Sequence, residues 1–309
     1  MHVVLVESDH DLRTFPFAKE TPACLQQVLG RSLLDRTVNW LRAHGQDEIH
    51  LLTEYDASED YILTQAIVRH RLSVASSLGE VLHRAHMNGA MDEPLLVLAA
   101  NLHPLPDFRE LVRGWDAGKN AVAWIRGTSS QGPGRYTSGP PVAALASPIV
   151  SRMLVADDHP RPMARMTSLC RRKGLRAEEV KPNSPVHAID NTWSLYQANL
   201  GMLTTNWLES GGANELQVSR VSGNLWVAPG AHAGRVHVDP TGGPVVLGIG
   251  ADVADGAMLR GPTLIGEASS VGADSCVHRA LVLEQSLIPE QSWIANAVVS
   301  PRLTESVAA

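Results

Sequence analysis

Residues 5 to 30 read LVESDHDLRTFPFAKETPACLQQVLG, an apolar run delivered straight into a loop dense in ionisable groups. The carboxylates Glu7, Asp9 and Asp11 and the cations Arg13 and Lys19 are the groups there that could act on a charged substrate. Phosphate chemistry at such a place wants glycines that bring backbone N–H groups close, together with fixed positive charge. The loop has no glycine before Gly30, and Lys19 is its only lysine. Three carboxylates facing two cations repel a triphosphate rather than hold one. His10 stands between Asp9 and Asp11, but adjacent loop residues seldom converge on one metal ion. Farther along, His232, His237 and His278 are of a type that does general-base chemistry.

The elements around the loop alternate in type. HVVLV (2–6) reads as a buried strand. SLLDRTVNWLRAHG (32–45) carries Leu33, Leu34, Val38 and Leu41 on one helical face and ends at a glycine. EIHLLT (48–53) and RLSVA (71–75) read as strands, and residues 58–70 and 78–89 as helices. EPLLVLAA (93–100) is apolar on both faces, as a central parallel strand is. Residues 108–118 and 120–125 add a helix and a strand, and GTSSQGPGRYTSGPP (127–141) reads as a turn-rich loop. PVAALASPIVSRML (141–154) suggests a strand and then a helix, and further helices follow over 161–175 and 192–203. Strands alternating with helices predict a three-layer, Rossmann-like α/β sheet with right-handed crossovers.

From about Trp226 glycine and valine rise and helical periodicity ends. GGPVVLG (242–248), RGPTLIG (260–266), HRALVLE (278–284) and NAVVSPR (296–302) align at a period of 18. Within them Leu247, Val253, Leu259, Ile265, Val271, Val277 and Leu283 fall six residues apart. Six residues make a short flat strand and a turn, and three such units make a triangular coil whose inward aliphatics stack on the next. The expected organisation is an α/β domain over residues 1–205, a connector over 206–225, a hexapeptide-repeat β-helix over 226–302 and a tail over 303–309.

The bulk numbers bound the function. The chain has 309 residues, 44% hydrophobic and 19% charged, ordinary for a globular protein. A net charge of −6 predicts no nucleic-acid partner, and no apolar run is long enough to span a membrane. Met1-His2 leads directly into a strand, so no signal peptide is expected. Cys24, Cys170 and Cys276 are odd in number and far apart, without metal or disulfide spacing, which predicts a reducing cytoplasm.

The α/β-then-coil order resembles the sugar-1-phosphate nucleotidyltransferases, the nucleotide-sugar pyrophosphorylases of mannose-1-phosphate guanylyltransferase and glucose-1-phosphate nucleotidyltransferase type. The resemblance covers nearly the whole chain and implies a C-terminal left-handed hexapeptide β-helix. Pro16-Phe17-Ala18, Pro22-Ala23-Cys24-Leu25 and Val28-Leu29-Gly30-Arg31-Ser32-Leu33-Leu34 follow the second half of that family's loop frame. In the first half, Glu7, Ser8, Asp9 and Asp11 stand at its phosphate-loop glycine positions, while Arg13 matches its arginine and Ala23 replaces its lysine. Ala99-Ala100-Asn101 stands where Asn-Gly-Asp would supply a Mg²⁺ carboxylate. Ile189 falls at the second metal aspartate, with Asp190 one residue away. Ser76-Ser77-Leu78-Gly79 replaces the nucleoside-recognising Gly-Thr-Ala-Gly, and residues 127–141 lack the Glu-Lys-Pro element that grips the sugar phosphate.

What the resemblance implies is a nucleotidyltransferase-like protein of nucleotide-sugar metabolism whose catalytic machinery is impaired. Such a chain would act as a regulatory, scaffolding or ligand-sensing subunit. It would meet a nucleotide or sugar phosphate, and through the β-helix either its own copies or a paralogous catalytic subunit. The alternative is an active transferase with a divergent site. That site would use Arg13 and Lys19 in catalysis, Ser8, Asp9, Ser76, Ser77 and Gly79 on the nucleotide, and Asn101 and Asp190 on Mg²⁺. Without activity, no cofactor is expected. A hexapeptide-repeat acyltransferase is the third reading, carried by the three histidines of the repeat region.

Overall fold

In the computed structural model, residues 1–7, 16–19, 21–53, 61–75, 77–87, 92–106, 108–115, 121–130, 136–155 and 162–307 are described. The N-terminal part is built on one seven-stranded sheet. Its strands are β1 (His2–Val6), β2 (Ile49–Leu52), β3 (Ser73–Ala75), β4 (Leu95–Ala99), β5 (Val122–Ser130), β6 (Tyr136–Ala146) and β7 (Ala177–Val180), in the order β3-β2-β1-β4-β6-β5-β7. β1 is parallel to β2 and β4, β6 runs antiparallel to β4 and β5, and β5 is parallel to β7. Val3, Val4 and Leu5 are fully buried, which is why this strand carries no polar face.

Helices α1 (Leu33–Ala43), α2 (Tyr61–His70), α3 (Leu78–Met87), α4 (Phe108–Gly114), α5 (Pro148–Leu154) and α6 (Pro162–Arg172) connect the strands. Ser32 caps α1 by accepting a hydrogen bond from the Asp35 N–H at 3.0 Å. Leu34, Val38 and Leu41 of α1 and Met163, Met166 and Cys170 of α6 enter the sheet's core. No helix among the described residues is long and apolar enough to cross a membrane.

Residues 127–141 depart from the turn-rich loop expected of them. Gly127 to Ser130 extend β5, and Tyr136 to Pro141 begin β6. The two strands pair from Val122↔Ala146 out to Ser130↔Tyr136, with register shifts around Arg126. Gly127 is required where it stands, because a Cβ there would meet Val142 Cγ1 at 2.5 Å. Cross-strand pairing overrides the local turn preference of glycine, serine and proline.

In the C-terminal part, short parallel strands stack in three inward columns. One is Val227, Leu247, Ile265, Val282, Val299; the second Ala233, Val253, Val271, Ile288; the third Val238, Leu259, Val277, Ile294. Together they form one apolar core. The spacing between partners is not a constant 18. Ile265 pairs with Val282 and Val282 with Val299, 17 residues on, so Leu283 is not the inward residue. The missing residue is at a corner: Arg260-Gly261-Pro262-Thr263 on one coil faces His278-Arg279-Ala280 on the next. Arg279 takes φ of 47° to close the shorter corner. Losing one residue flips the alternation, which sends Leu283 to the outside. Another corner repeats Gly230, Gly250, Ala268 and Gln285, all left-handed, with φ between 53° and 72°.

A helix joins the two parts. α7 (Thr192–Leu200) lies on an outward apolar column, Trp226, Val246, Leu264, Leu281 and Val298, in a second shared core. It is buried on most sides, which is why its sequence shows no amphipathic stripe. Tyr196 Oη donates to the Arg279 carbonyl at 3.0 Å, and Asn199 Nδ2 to the Gln27 carbonyl at 3.0 Å. Between α7 and the coils run the short helical segments Thr205–Trp207, Leu208–Gly212 and Ala213–Leu216, then the strand Ser219–Ser222.

Candidate functional site

The strand order marks a topological switch point beside β1, the crevice position of an open α/β sheet. From β1 the chain moves outward to β2 and β3, then returns to β4 on the other side of β1. In open α/β sheets ligands bind beyond the carboxyl ends of the strands at such a reversal. Three residues mark those ends: Glu7 after β1, Thr53 after β2 and Asn101 after β4. Val6 and Ala99 are register partners, and the Ala100 N–H donates to the Val6 carbonyl at 2.8 Å, so the ends of β1 and β4 are level.

The Glu7 carboxylate is almost buried and accepts from the Thr53 hydroxyl at 2.7 Å. Its backbone N–H donates to the Leu52 carbonyl at 3.0 Å. The first acidic group of the loop is therefore tied to the neighbouring strand. Asn101 has no solvent exposure. Its Nδ2 donates to the Ile189 carbonyl at 3.2 Å, and the Ile189 N–H returns a bond to the Asn101 carbonyl at 2.8 Å. An antiparallel bridge from Leu102 to Ala188 and a bond from the His103 N–H to the His187 carbonyl (3.0 Å) continue this small ladder. Asn101 Oδ1 is buried without a hydrogen-bond partner among the described residues.

Asp190 leads into the cap of α7. Its N–H donates to Ser194 Oγ at 3.1 Å, and its Oδ1 accepts from Asn191 Nδ2 at 2.7 Å. Asn191 and Ser194 form a reciprocal capping box, and a carboxylate beside a helix N-terminus suits the helix dipole. On the far side of the ladder, burial foremost and then the Arg36 charge pull His103 down to about 4, so it is neutral at pH 7. His187 is also lowered by burial, and its Nδ1 lies 2.7 Å from Thr128 Oγ1.

The other expected site residues divide. Ser8, Asp9, Arg13 and Ser76 lie outside the described residues. Lys19 closes a short 3-10 turn, Pro16–Lys19. Ser77 Oγ caps α3 by accepting from the Glu80 N–H at 3.2 Å, and Gly79 is buried in the first turn of that helix. Asn101 and the Ile189–Asp190 pair are the sequence positions that the fold brings into contact. Among the described residues, no group of three or more His, Cys, Asp or Glu side chains could hold a metal ion. Thr53 joins the site through its bond to Glu7, and His103 and His187 through the pairing of 101–103 with 187–189, long-range contacts that no local sequence signal marks.

The repeat histidines stand on outward positions of the coils. His232 Nδ1 lies 3.1 Å from Asp252 Oδ1, both exposed, and His237 is also exposed. His278 is lowered by burial first and by Arg260 next. No family model matches the chain, and no curated protein matches it.

Proposed function

We propose that this chain is a nucleotidyltransferase-like protein of nucleotide-sugar metabolism that has lost transfer chemistry and serves as a regulatory, scaffolding or ligand-sensing subunit. On this reading the N-terminal part is a Rossmann-like nucleotidyltransferase domain and the C-terminal part a short hexapeptide β-helix. One observation carries the proposal: at the crevice, the two positions where the resemblance expects metal carboxylates hold Asn101 and Ile189, bonded to each other. Phosphoryl transfer from a triphosphate needs Mg²⁺ to neutralise charge on the moving group. An amide whose N–H₂ is committed to a carbonyl, beside an aliphatic side chain, is a poor hard-cation ligand set. Asp190, the nearest carboxylate in sequence, takes part in the cap of α7.

Titration calorimetry with nucleoside triphosphates, with and without Mg²⁺, tests the reading. The expected result is that Mg²⁺ changes triphosphate affinity by less than about threefold, since no protein carboxylate recruits it. An affinity that rises on the order of tenfold or more with Mg²⁺ would contradict it.

A further inference from the structure

A cavity of about 390 Å³ lies at the junction of the two parts, away from the crevice. Its walls come from the segment between Phe17 and Gln27, from Glu215 to Val218, and from the coil corners at residues 248–249, 266–267, 283–285 and 300–302. This is within the size range of small-molecule sites. Phe17, Leu216 and Ile249 give it apolar wall, and amides of Gln27 and Gln285 give it hydrogen-bonding groups of both senses.

The charges select the ligand. Glu215 is already paired with Arg36 at 3.0 Å. Glu267 and Glu284 stand one coil apart at the same corner, the Gln285 N–H donating to the Glu267 carbonyl at 2.8 Å. Glu284 is half-buried and accepts from Gln27 Nε2 at 2.6 Å, an uncharged partner. Arg302, on the exposed rim, is the cation among the described lining residues. A phosphate placed here would face two carboxylates. A hydrocarbon would strip water from amides and carboxylates without replacing the lost bonds. A ligand that donates hydrogen bonds, carries one positive charge and has a partly apolar body satisfies all the walls.

We propose that this cavity is a binding site for a small polyhydroxylated amine, the chemistry of an amino sugar. Its ammonium lies between Glu267 and Glu284, its hydroxyls on the Gln27 and Gln285 amides, and its C–H face on Leu216 and Ile249. The site does not depend on the reading of the crevice, because Asn101, Ile189 and Asp190 take no part in it.

The test is calorimetric titration of the full chain with three probes that differ chiefly in charge: glucosamine, glucose and glucose 6-phosphate. Glucosamine should bind about tenfold or more tightly than glucose, and glucose 6-phosphate should not bind, since a charge-assisted hydrogen bond is stronger than a neutral one. Glu284→Gln and Glu267→Gln should each weaken glucosamine by about tenfold while leaving the circular dichroism spectrum unchanged. Glu284→Gln keeps an acceptor for Gln27, so a folding failure is not expected to mask the result. Absence of glucosamine binding, equal affinity for glucose, tighter binding of the phosphate, or binding indifferent to both substitutions would each overturn the proposal.

Discussion

Asn101 and Ile189, 88 residues apart in sequence, exchange two hydrogen bonds at the end of the central strand β4. The Asn101 amide is buried there while the Ile189 side chain packs in the core shared by α7 and the coils, and this geometry makes a restored carboxylate costly. In Asn101→Asp, both side-chain oxygens only accept, so the one facing the Ile189 carbonyl repels it at no solvent exposure. We predict a loss of about 3–5 kcal/mol in urea unfolding at pH 7, the scale of an unpaired buried charge. Mg²⁺ should not restore the loss. A magnesium-dependent rise of the variant's melting temperature to the parent value would show that a metal site had been re-formed.

His103 makes the fold acid-sensitive over a defined window. Its folded-state pKa is about 4 and its ordinary value 6.5, so the unfolded chain binds a proton first. Stability from this group is intact above pH 6.5 and falls as the pH drops from 6.5 towards 4, by on the order of 2 kcal/mol. His103→Gln should flatten that part of the stability–pH curve. Equal slopes for the two proteins between pH 6.5 and 4 would refute the assignment.

The coil register separates two neighbouring aliphatics. Ile265→Asp puts an unpaired charge into the inner core, with an expected cost of about 3–5 kcal/mol and loss of the C-terminal part's cooperative melting. Leu283→Asp should cost less than half as much, because Leu283 faces outward at the cavity. Equal costs by calorimetry would restore the strict period of 18 and contradict the 17-residue coil.

Glu284 supplies a second test through pH. Burial, reinforced by Glu267, raises its carboxyl above the ordinary 4.5, with the Gln27 hydrogen bond acting against the rise. Its charged form is therefore disfavoured by folding. The resulting loss of stability is complete above the raised pKa and disappears as the pH falls towards 4.5. Glu284→Gln should melt higher than the parent at pH 7 and converge with it near pH 4.5. A variant that melts lower at pH 7 would mean that the carboxylate stabilises the junction.

How far these relationships were legible in the sequence depends on their range. β1, α1 and β4 follow from local pattern: an apolar run, a 3.6-residue stripe behind a serine cap, a second apolar run. The inward column through Leu247 and Ile265 follows from a six-residue step. The slip at Leu283 did not, because Val282 and Leu283 are both aliphatic and either satisfies the period. The second half of β6, VAALA, shows as an apolar strand, but its first half was hidden because Ser138, Gly139, Pro140 and Pro141 are turn formers, and only pairing with β5 holds them extended. β7, AEEV, is an edge strand with polar side chains and no apolar signature. In the candidate site, Asn101 was visible as the residue ending an apolar strand, but its bond to Ile189 needs the ladder that pairs 101–103 with 187–189.

The central claim is that the crevice retains the place for a nucleotide and not the means to transfer it. Pyrophosphate release tests this directly, with the full chain, Mg²⁺ and each common pairing of nucleoside triphosphate and sugar 1-phosphate. The account predicts no release above the protein-free rate for any pairing. Release on the order of one turnover per second or faster, abolished by Arg13→Ala, would contradict it and establish a divergent working transferase.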